Sequence, residues 1–255
     1  MEYTKREISY LAIVTLVLTF VFAFNDNRDV FVLSYWITNF IKVFVLVGIS
    51  VFIHDFAHDL AAKRYGFISE YRIWGVKKFG LSGKDKYPKI INFFGKKIKM
   101  NAFPIGIIIA LFLTLISNGK LFFTAISSYG LMIKKSHRIG RKFIEVTDFE
   151  EAKIALAGPM ANILLAIILS IFNSSGIFST LILINSMMPV FDMIPFPGLD
   201  GSKVFWGSKP LFIFSFLFIL SSAILLKYLS AIPALFLALI FAIMFLIIYL
   251  FQSFK

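Results

Sequence analysis

The stretch His54-Asp55-Phe56-Ala57-His58 lies near the end of a long apolar segment and brings three ionisable side chains into a hydrophobic run. Ionisable residues inside a membrane helix are costly, and they mark functional sites by default. Two histidines spaced four positions apart lie one turn apart on the same face of a helix. One metal ion can then reach both imidazoles, so the spacing predicts His54 and His58 as metal ligands.

A carboxylate follows the first histidine. In the zinc-protease signature H-E-x-x-H this position holds a Glu that acts as general base, whereas here it holds Asp55. The pattern therefore predicts Asp55 as the catalytic base of a zinc-dependent hydrolase. The alternative is that the two histidines only pack between helices and form hydrogen bonds with the backbone.

The composition is that of a membrane protein, because 59% of the 255 residues are hydrophobic and only 16% are charged. The formal net charge is +12, and the basic residues cluster between apolar segments. This clustering favours loops that face the cytoplasm and anionic lipid headgroups over a nucleic-acid partner. Cysteine is absent, so any metal must be held by histidine and carboxylate.

The hydrophobic pattern predicts an all-α polytopic membrane protein with about six to eight transmembrane helices and a small membrane-associated β-hairpin. The run 8–24 is interpreted as a retained first helix rather than a cleaved signal peptide. Thr147 and Glu150 form a capping-box pattern at the start of a later helix, which opens at 148–151 and continues through 163–172. Further helices are predicted over 36–62, 177–193, 211–226 and 228–251.

Two apolar runs, 103–117 and 121–133, are short for a membrane crossing, which usually needs about 20 residues. We predict either a locally thin bilayer or a tilted or re-entrant element there. The basic segment 67–100 contains a strand pattern at 71–76, a turn at 81–85 and possible return strands at 90–94 and 97–100. A basic amphipathic loop on the headgroups is the alternative. A second basic loop, 134–147, holds His137, which we interpret as a solvated residue.

A catalytic zinc ion needs a third protein ligand. The stretch 191–201 contains two prolines and two glycines, and irregular backbone at membrane depth survives only within protein or along a wet cavity. Asp200 in this stretch can turn back towards the histidines, so we predict it as the third ligand. A turn or N-cap role is the alternative. Asn162 is polar in an apolar run, which predicts either an interhelical hydrogen bond or a contact with substrate.

Three separated motifs resemble those of the site-2 proteases, a family of intramembrane zinc metalloproteases. The first is the histidine pentapeptide, the second is Ala157-Gly158-Pro159-Met160-Ala161-Asn162, and the third is Pro195-Phe196-Pro197-Gly198-Leu199-Asp200-Gly201. The resemblance implies a three-helix core that holds zinc through His54, His58 and Asp200. It also implies cleavage of transmembrane protein substrates inside the bilayer, with the strand segment near the substrate.

From these motifs we predict one integral membrane domain over 1–255, with a catalytic core at about 37–209 and a C-terminal helical hairpin at about 210–251. Asn162 and Asp192 are the predicted substrate-binding residues. The basic loops predict a multi-pass protein of the cell membrane with both termini in the cytoplasm. The expected partners are transmembrane substrates and lipid, without nucleic acid.

Two residues depart from the family pattern. Asp55 replaces the catalytic Glu, which shortens the side chain by one methylene, and Asp192 stands where the family has Asn. Asp59 adds a further carboxylate one turn after Asp55. A pseudoprotease that binds membrane partners without cutting them is therefore the alternative function. A divalent-metal transporter is a third possibility, although the broken segments form no evident inverted repeat.

Overall fold

The computed structural model describes residues 3–26, 28, 30–79, 85–93, 96–133 and 145–253. Within these residues the chain forms eight helices and six short strands. The elements are α1 (Lys5–Ala23), α2 (Leu33–Arg64), β1 (Phe67–Ile73), β2 (Lys78–Phe79), β3 (Asp85–Lys86), β4 (Lys89–Phe93), β5 (Lys96–Met100), α3 (Ile105–Ile116), β6 (Ser127–Ile133), α4 (Asp148–Ile171), α5 (Ser179–Asp192), α6 (Asp200–Gly207), α7 (Lys209–Leu225) and α8 (Ala231–Ser253).

Four of the described helices, α1, α2, α4 and α8, are long and apolar enough to cross a membrane. The helices α3 and α7 are shorter but also apolar. Large hydrophobic side chains on α2 and α8, among them Phe52 and Phe236, are at least half exposed in the isolated chain. Lipid tails are the solvent that such faces require. The predicted class, an all-α membrane protein with a small β component, is confirmed.

Two helices begin with complete capping boxes. At α1 the Thr4 hydroxyl accepts from the Glu7 N–H while the Glu7 carboxylate accepts from the Thr4 N–H. At α4 the predicted pair does the same, because the Thr147 hydroxyl accepts from the Glu150 N–H and Glu150 returns the bond. Each box satisfies backbone donors that the first turn of a helix leaves unpaired.

The helix α4 is the centre of the bundle, since it packs against α2, α5 and α6. Close contact is possible because small side chains line the interfaces; Ala62 on α2 and Ala155 on α4 are fully buried. The helices α7 and α8 pair with each other and cover this core on one side. The bundle thereby holds the end of α2 against the middle of α4.

The strand β1 pairs with β6 in antiparallel register, with Phe67 opposite Ile133 and Tyr71 opposite Tyr129. The strand predicted over 71–76 overlaps β1 only at 71–73, and its partner was expected within 90–100. Those residues form their own hairpin, in which β4 pairs with β5. Pairing across about 60 positions leaves no local signature, since register depends on the folded surroundings rather than on nearby sequence.

The prediction of two membrane elements at 103–117 and 121–133 is half wrong. The first run forms α3, but the second contains the strand β6. The physical reason is the long-range pairing of 127–133 with β1, which stabilises a strand there even though Gly130 is a poor strand former. The interior of the second basic loop, 134–144 with Lys135 and His137, lies outside the described residues, as does most of the predicted turn at 81–85.

Side chains tie the β1–β6 pair to its surroundings on both sides. The Glu7 carboxylate accepts from the Tyr71 backbone N–H at 3.1 Å, which links α1 to β1. On the other side the Ser128 hydroxyl donates to the Gly198 carbonyl at 2.5 Å, and the Lys203 ammonium donates to the Tyr129 carbonyl at 3.0 Å. The strand pair is thus fixed to the Pro/Gly segment that precedes α6.

Candidate metal centre

His54 and His58 lie on the face of α2 that points into the bundle, and only 4% and 2% of their surfaces are exposed. Both positions follow from helical geometry, because residues four apart are stacked neighbours on one face. Their ring centroids are 4.7 Å apart, and the Nε2 atoms approach to 3.0 Å. The two nitrogens therefore point at a common position.

Asp200 completes the group from the other end of the core. It is the first residue of α6, immediately after the Pro/Gly segment, and it is 5% exposed. Its Oδ2 lies 3.1 Å from Nε2 of His58 and 3.4 Å from Nε2 of His54. Gly201 permits this arrangement, because a Cβ there would collide with the backbone carbonyl of Met193. The predicted ligand set is thus assembled in one place.

The hydrogen bond of the second imidazole sets its tautomer. Nδ1 of His58 lies 2.7 Å from the carbonyl oxygen of Ile154 on α4. A carbonyl oxygen can only accept, so Nδ1 carries the proton and Nε2 presents a lone pair. Histidine ligands of metals almost always have such a partner, which fixes ring orientation and raises basicity.

The three donor atoms fit a zinc ion. With bond lengths of 2.0–2.2 Å, neighbouring ligands of a tetrahedral site lie about 3.4 Å apart, and the triangle here has sides of 3.0, 3.1 and 3.4 Å. Among the described residues, the side chains of His54, His58 and Asp200 form the group whose donor atoms are close enough to bind one ion. Oδ1 of Asp200 is buried and has no hydrogen-bond partner, as expected of a carboxylate whose role is to bind a cation.

Gly158 on α4 faces this triangle. A Cβ added at Gly158 would lie 2.7 Å from Nε2 of His54 and closer still to Nε2 of His58. The motif needs glycine here because a side chain would fill the space in front of the ligand nitrogens. Pro159 follows inside the helix, and Asn162 lies one turn further on.

Asp55 stands beside the first ligand and is 2% exposed. The phenol of Tyr3 donates a hydrogen bond of 2.8 Å to its Oδ2, across 52 positions of the chain. Burial, followed by the charge of Asp55, raises the pKa of the Tyr3 hydroxyl well above its ordinary value. Tyr3 therefore remains a donor. Asp59, one turn later, is paired instead with Lys63 at 2.6 Å, so the two carboxylates have separate partners.

A closed cleft, too narrow to hold a water molecule, lies next to the donor atoms. It is lined by residues from α2, β1, β6 and α6: His54, Asp55, His58, Tyr71, Ser127, Ser128, Tyr129 and Asp200. The Tyr129 ring lies against the His58 ring, with centroids 4.5 Å apart at 30°. The ammonium of Lys203 lies over the ring of this tyrosine at 3.2 Å from the ring centroid. The β1–β6 pair therefore forms one wall of the cleft.

The two predicted substrate-binding residues lie outside that lining. Asn162 is fully buried, and its amide donates to the sulfur of Met188 at 3.9 Å, while its Oδ1 has no partner. Asp192 lies behind His54, with its Oδ2 3.9 Å from Nδ1 of that histidine. Contact of either residue with substrate stays a prediction.

Sequence reasoning missed Tyr3, Tyr129 and the serines of β6. Tyr3 and Tyr129 reach the site through long-range packing, and their immediate neighbours carry no motif. The resemblance contained one usable signal, the glycine of A-G-P-x-x-N, which belongs to the close approach at Gly158.

The fold and the site define a membrane protein with the donor set of a zinc metallopeptidase. Comparison with known proteins agrees: the chain is 28% identical over 214 residues to a Methanocaldococcus jannaschii protein named "Putative zinc metalloprotease". The match covers 80% of this chain and 85% of the relative. Neither a family model nor a solved structure matches the chain. The similarity supports the resemblance drawn from the three motifs, and zinc is the metal in the printed name of that relative. In this chain, His54, His58 and Asp200 form the group that can hold a metal ion.

Proposed function

We propose that this chain is an intramembrane zinc endopeptidase that cleaves transmembrane segments of membrane-protein substrates, the chemistry of regulated intramembrane proteolysis. The observation that carries the proposal is the convergence of three donors within 3.4 Å of one another, two from the membrane-length helix α2 and one from the first residue of α6. A carboxylate lies directly beside them at Asp55. The similarity to a metalloprotease supports the hydrolytic class.

The donors occupy a buried site at membrane depth. His54 and His58 lie within α2, whose composition and length suit a membrane crossing. Each donor residue is no more than 5% exposed. A soluble peptide has little access to such a place, whereas a segment already in the bilayer can approach the bundle laterally. Transmembrane segments are therefore the substrates that best match the location of the site.

The residues divide the chemistry among them. His54, His58 and Asp200 hold the ion, and the Ile154 carbonyl fixes the ring of His58. When bound, zinc supplies a Lewis acid for the scissile carbonyl and acidifies the attacking water. Asp55 accepts a proton from that water and delivers it to the leaving amine. Tyr3 fixes the orientation of the Asp55 carboxyl group through a hydrogen bond.

The substrate is proposed to bind along the β1–β6 strand pair. Ser127, Ser128 and Tyr129 of β6 face the donors across the cleft. Proteolysis inside a membrane requires an extended peptide, because the carbonyl of a helix is hydrogen-bonded and surrounded by its own side chains. A strand wall next to the metal favours an extended chain. Asn162 on α4 and Asp192 on α5 are buried and do not line the cleft, so contact of either residue with substrate stays a prediction from the motifs.

We propose that this chain is a multi-pass protein of the cell membrane with both termini in the cytoplasm. The basic residues Lys63 and Arg64 end α2 just after the metal-binding pair. Positive residues prefer the cytoplasmic side of a membrane helix. The site then lies nearer the cytoplasmic surface, and the lipid bilayer is a partner in substrate selection.

The proposal is tested by cleavage of a model transmembrane peptide with purified zinc-loaded protein in lipid vesicles. Mass spectrometry of the products should place the cut within the apolar part of the peptide. The His58→Ala variant should leave the peptide intact, and the His137→Ala variant, which changes the third histidine of the chain, should cut like the parent. If zinc-loaded protein binds the peptide and never cuts it, the pseudoprotease is the correct function.

A further inference from the structure

The two imidazoles of the metal group differ in their outer partners. Nδ1 of His58 is hydrogen-bonded to the Ile154 carbonyl at 2.7 Å. Nδ1 of His54 is buried, and it has no hydrogen-bond partner. If Nε2 of His54 is to hold the ion, Nδ1 must carry the proton, and this N–H needs an acceptor.

The carboxyl group of Asp192 is buried and accepts no hydrogen bond. Asp192 is the last residue of α5 and is 2% exposed, and both of its carboxyl oxygens are buried without a hydrogen-bond partner. Burying a carboxyl group without a donor is costly. Its Oδ2 lies 3.9 Å from Nδ1 of His54, about 1 Å beyond hydrogen-bond distance.

We propose that Asp192 is a positioning residue for the metal centre: its carboxyl group accepts the Nδ1–H of His54 and so orients the imidazole towards the ion. The inference rests on the proposed metal site and assigns its missing outer contact. The Nδ1–H of His54 and the carboxyl group of Asp192 are adjacent and both lack a partner, so a small side-chain movement would join them in a hydrogen bond. The pair would then match the bond that His58 already makes with Ile154.

The chemistry of this position explains why a carboxyl group is useful there. A carboxylate is a stronger acceptor for an imidazole N–H than a neutral amide oxygen, because the bond is charge-assisted. The closest comparable carboxyl group is Asp200, which lies on the ligand side of His54. Asp192 lies next to Nδ1 of the His54 ring, whereas Asp200 lies next to Nε2.

The test is the zinc affinity of the full-length protein, measured after metal removal by competition with a chromophoric chelator. Asp192→Leu removes the acceptor and should weaken zinc binding by about 10- to 100-fold, the usual effect of losing an outer partner. Asp192→Asn keeps a weaker acceptor and should fall between Leu and the parent. The matched control is Asp59→Asn, which changes another buried carboxylate of the same bundle whose partner is Lys63, and it should bind zinc like the parent.

A second readout follows the geometry of the ion directly. Cobalt substituted for zinc has visible absorption bands that depend on ligand orientation, and Asp192→Asn should shift these bands while Asp59→Asn should not. If Asp192→Leu does not yield folded protein, the Asn variant decides: unchanged bands together with unchanged zinc affinity overturn the inference. Parent-like zinc affinity in Asp192→Leu also overturns it, and a loss of peptide binding in that variant would assign the residue to substrate.

The same assay separates this inference from the proposed function. His54→Ala should lose zinc. If His54→Ala retains the parent's affinity, the metal site itself is misassigned and both proposals fall. If His54→Ala loses zinc and Asp192→Leu does not, only the positioning role falls. Absence of peptide cleavage leaves the affinity measurement unaffected, because that measurement needs no substrate.

Discussion

The hydroxyl of Tyr3 and the carboxyl group of Asp55 are joined by a hydrogen bond of 2.8 Å. It connects the segment before the first helix with the acid beside the metal ligands. The capping box of Thr4 and Glu7 and the bond from Tyr71 to Glu7 hold that segment in place. The carboxyl group of Asp55, the proposed catalytic base, is therefore oriented by a residue that no motif of the site contains.

Removing this bond should slow catalysis. In Tyr3→Phe the shorter acid loses the contact that orients it, and a misplacement near 1 Å costs about 100-fold. We expect kcat to fall by at least about tenfold with zinc content unchanged. Tyr10→Phe is the control, since the Tyr10 hydroxyl accepts from Arg6 away from the metal centre. A rise in kcat for Tyr3→Phe would mean that the bond restrains the enzyme rather than assisting it.

The role of Asp55 is tested by two substitutions. Asp55→Asn should abolish cleavage and leave zinc bound, because general-base assistance is worth about 10²- to 10⁴-fold. Asp55→Glu restores the longer reach of the zinc-protease signature and should remain active. Cleavage rates are measured with the same transmembrane peptide and checked against bound zinc. If only Asp55→Glu cuts, the natural aspartate is an inactivating substitution.

The metal ligands should act as a set. The parent should bind about one zinc per chain, as expected of three ligands with an open fourth position. His54→Ala, His58→Ala and Asp200→Ala should each reduce the zinc content sharply, as measured by elemental analysis of purified protein. His137→Ala should retain it. Full zinc in all three ligand variants would show that the metal lies elsewhere.

Gly158 offers a test that leaves every ligand in place. Gly158→Ala inserts a methyl group beside Nε2 of both histidines, so zinc affinity should drop and stability should fall by about 1–3 kcal/mol. Gly48→Ala is the matched control within a helix, because its new Cβ would meet Thr15 at 3.8 Å, an ordinary contact. Zinc titration and thermal unfolding measure the two effects. Equal behaviour of both variants would contradict the close approach.

The proposed orientation is accessible to thiol labelling, since the chain lacks cysteine. Lys77→Cys should react with an impermeant reagent only after the cells are opened, because basic loops stay in the cytoplasm. Asp26→Cys, in the turn between α1 and α2, should react in intact cells. The reverse labelling pattern would invert the topology.

Local geometry made part of the site predictable. The pair His54 and His58 follows from helical spacing alone, and the Thr147 capping box from a four-residue pattern. Asp200 was harder, because 142 positions separate it from His58. The helix break identified it as a candidate, and the resemblance to a family supplied the rest.

Contacts that depend on the folded surroundings were out of reach. The pairing of β1 with β6 and the bond from Tyr3 to Asp55 both join segments that are distant in the chain. The seven-residue strand β6 has no clear alternation of polar and apolar side chains, so the sequence alone did not separate it from the apolar residues before it. The range 121–133 was therefore predicted as a membrane element. The physical reason is that such elements obtain their stability from tertiary contacts rather than from intrinsic propensity.

The position of the ligands along α2 has a consequence for where a substrate is cut. Arg64 ends the helix six residues after His58, which places the ion about 9 Å from the charged end of the helix, at a rise of 1.5 Å per residue. Under the proposed function and orientation, Arg64 lies at the membrane surface, and the distance from Arg64 to the ion sets the depth at which a substrate is cut. Unrelated sequences that place a flexible peptide at that depth would then be equivalent substrates.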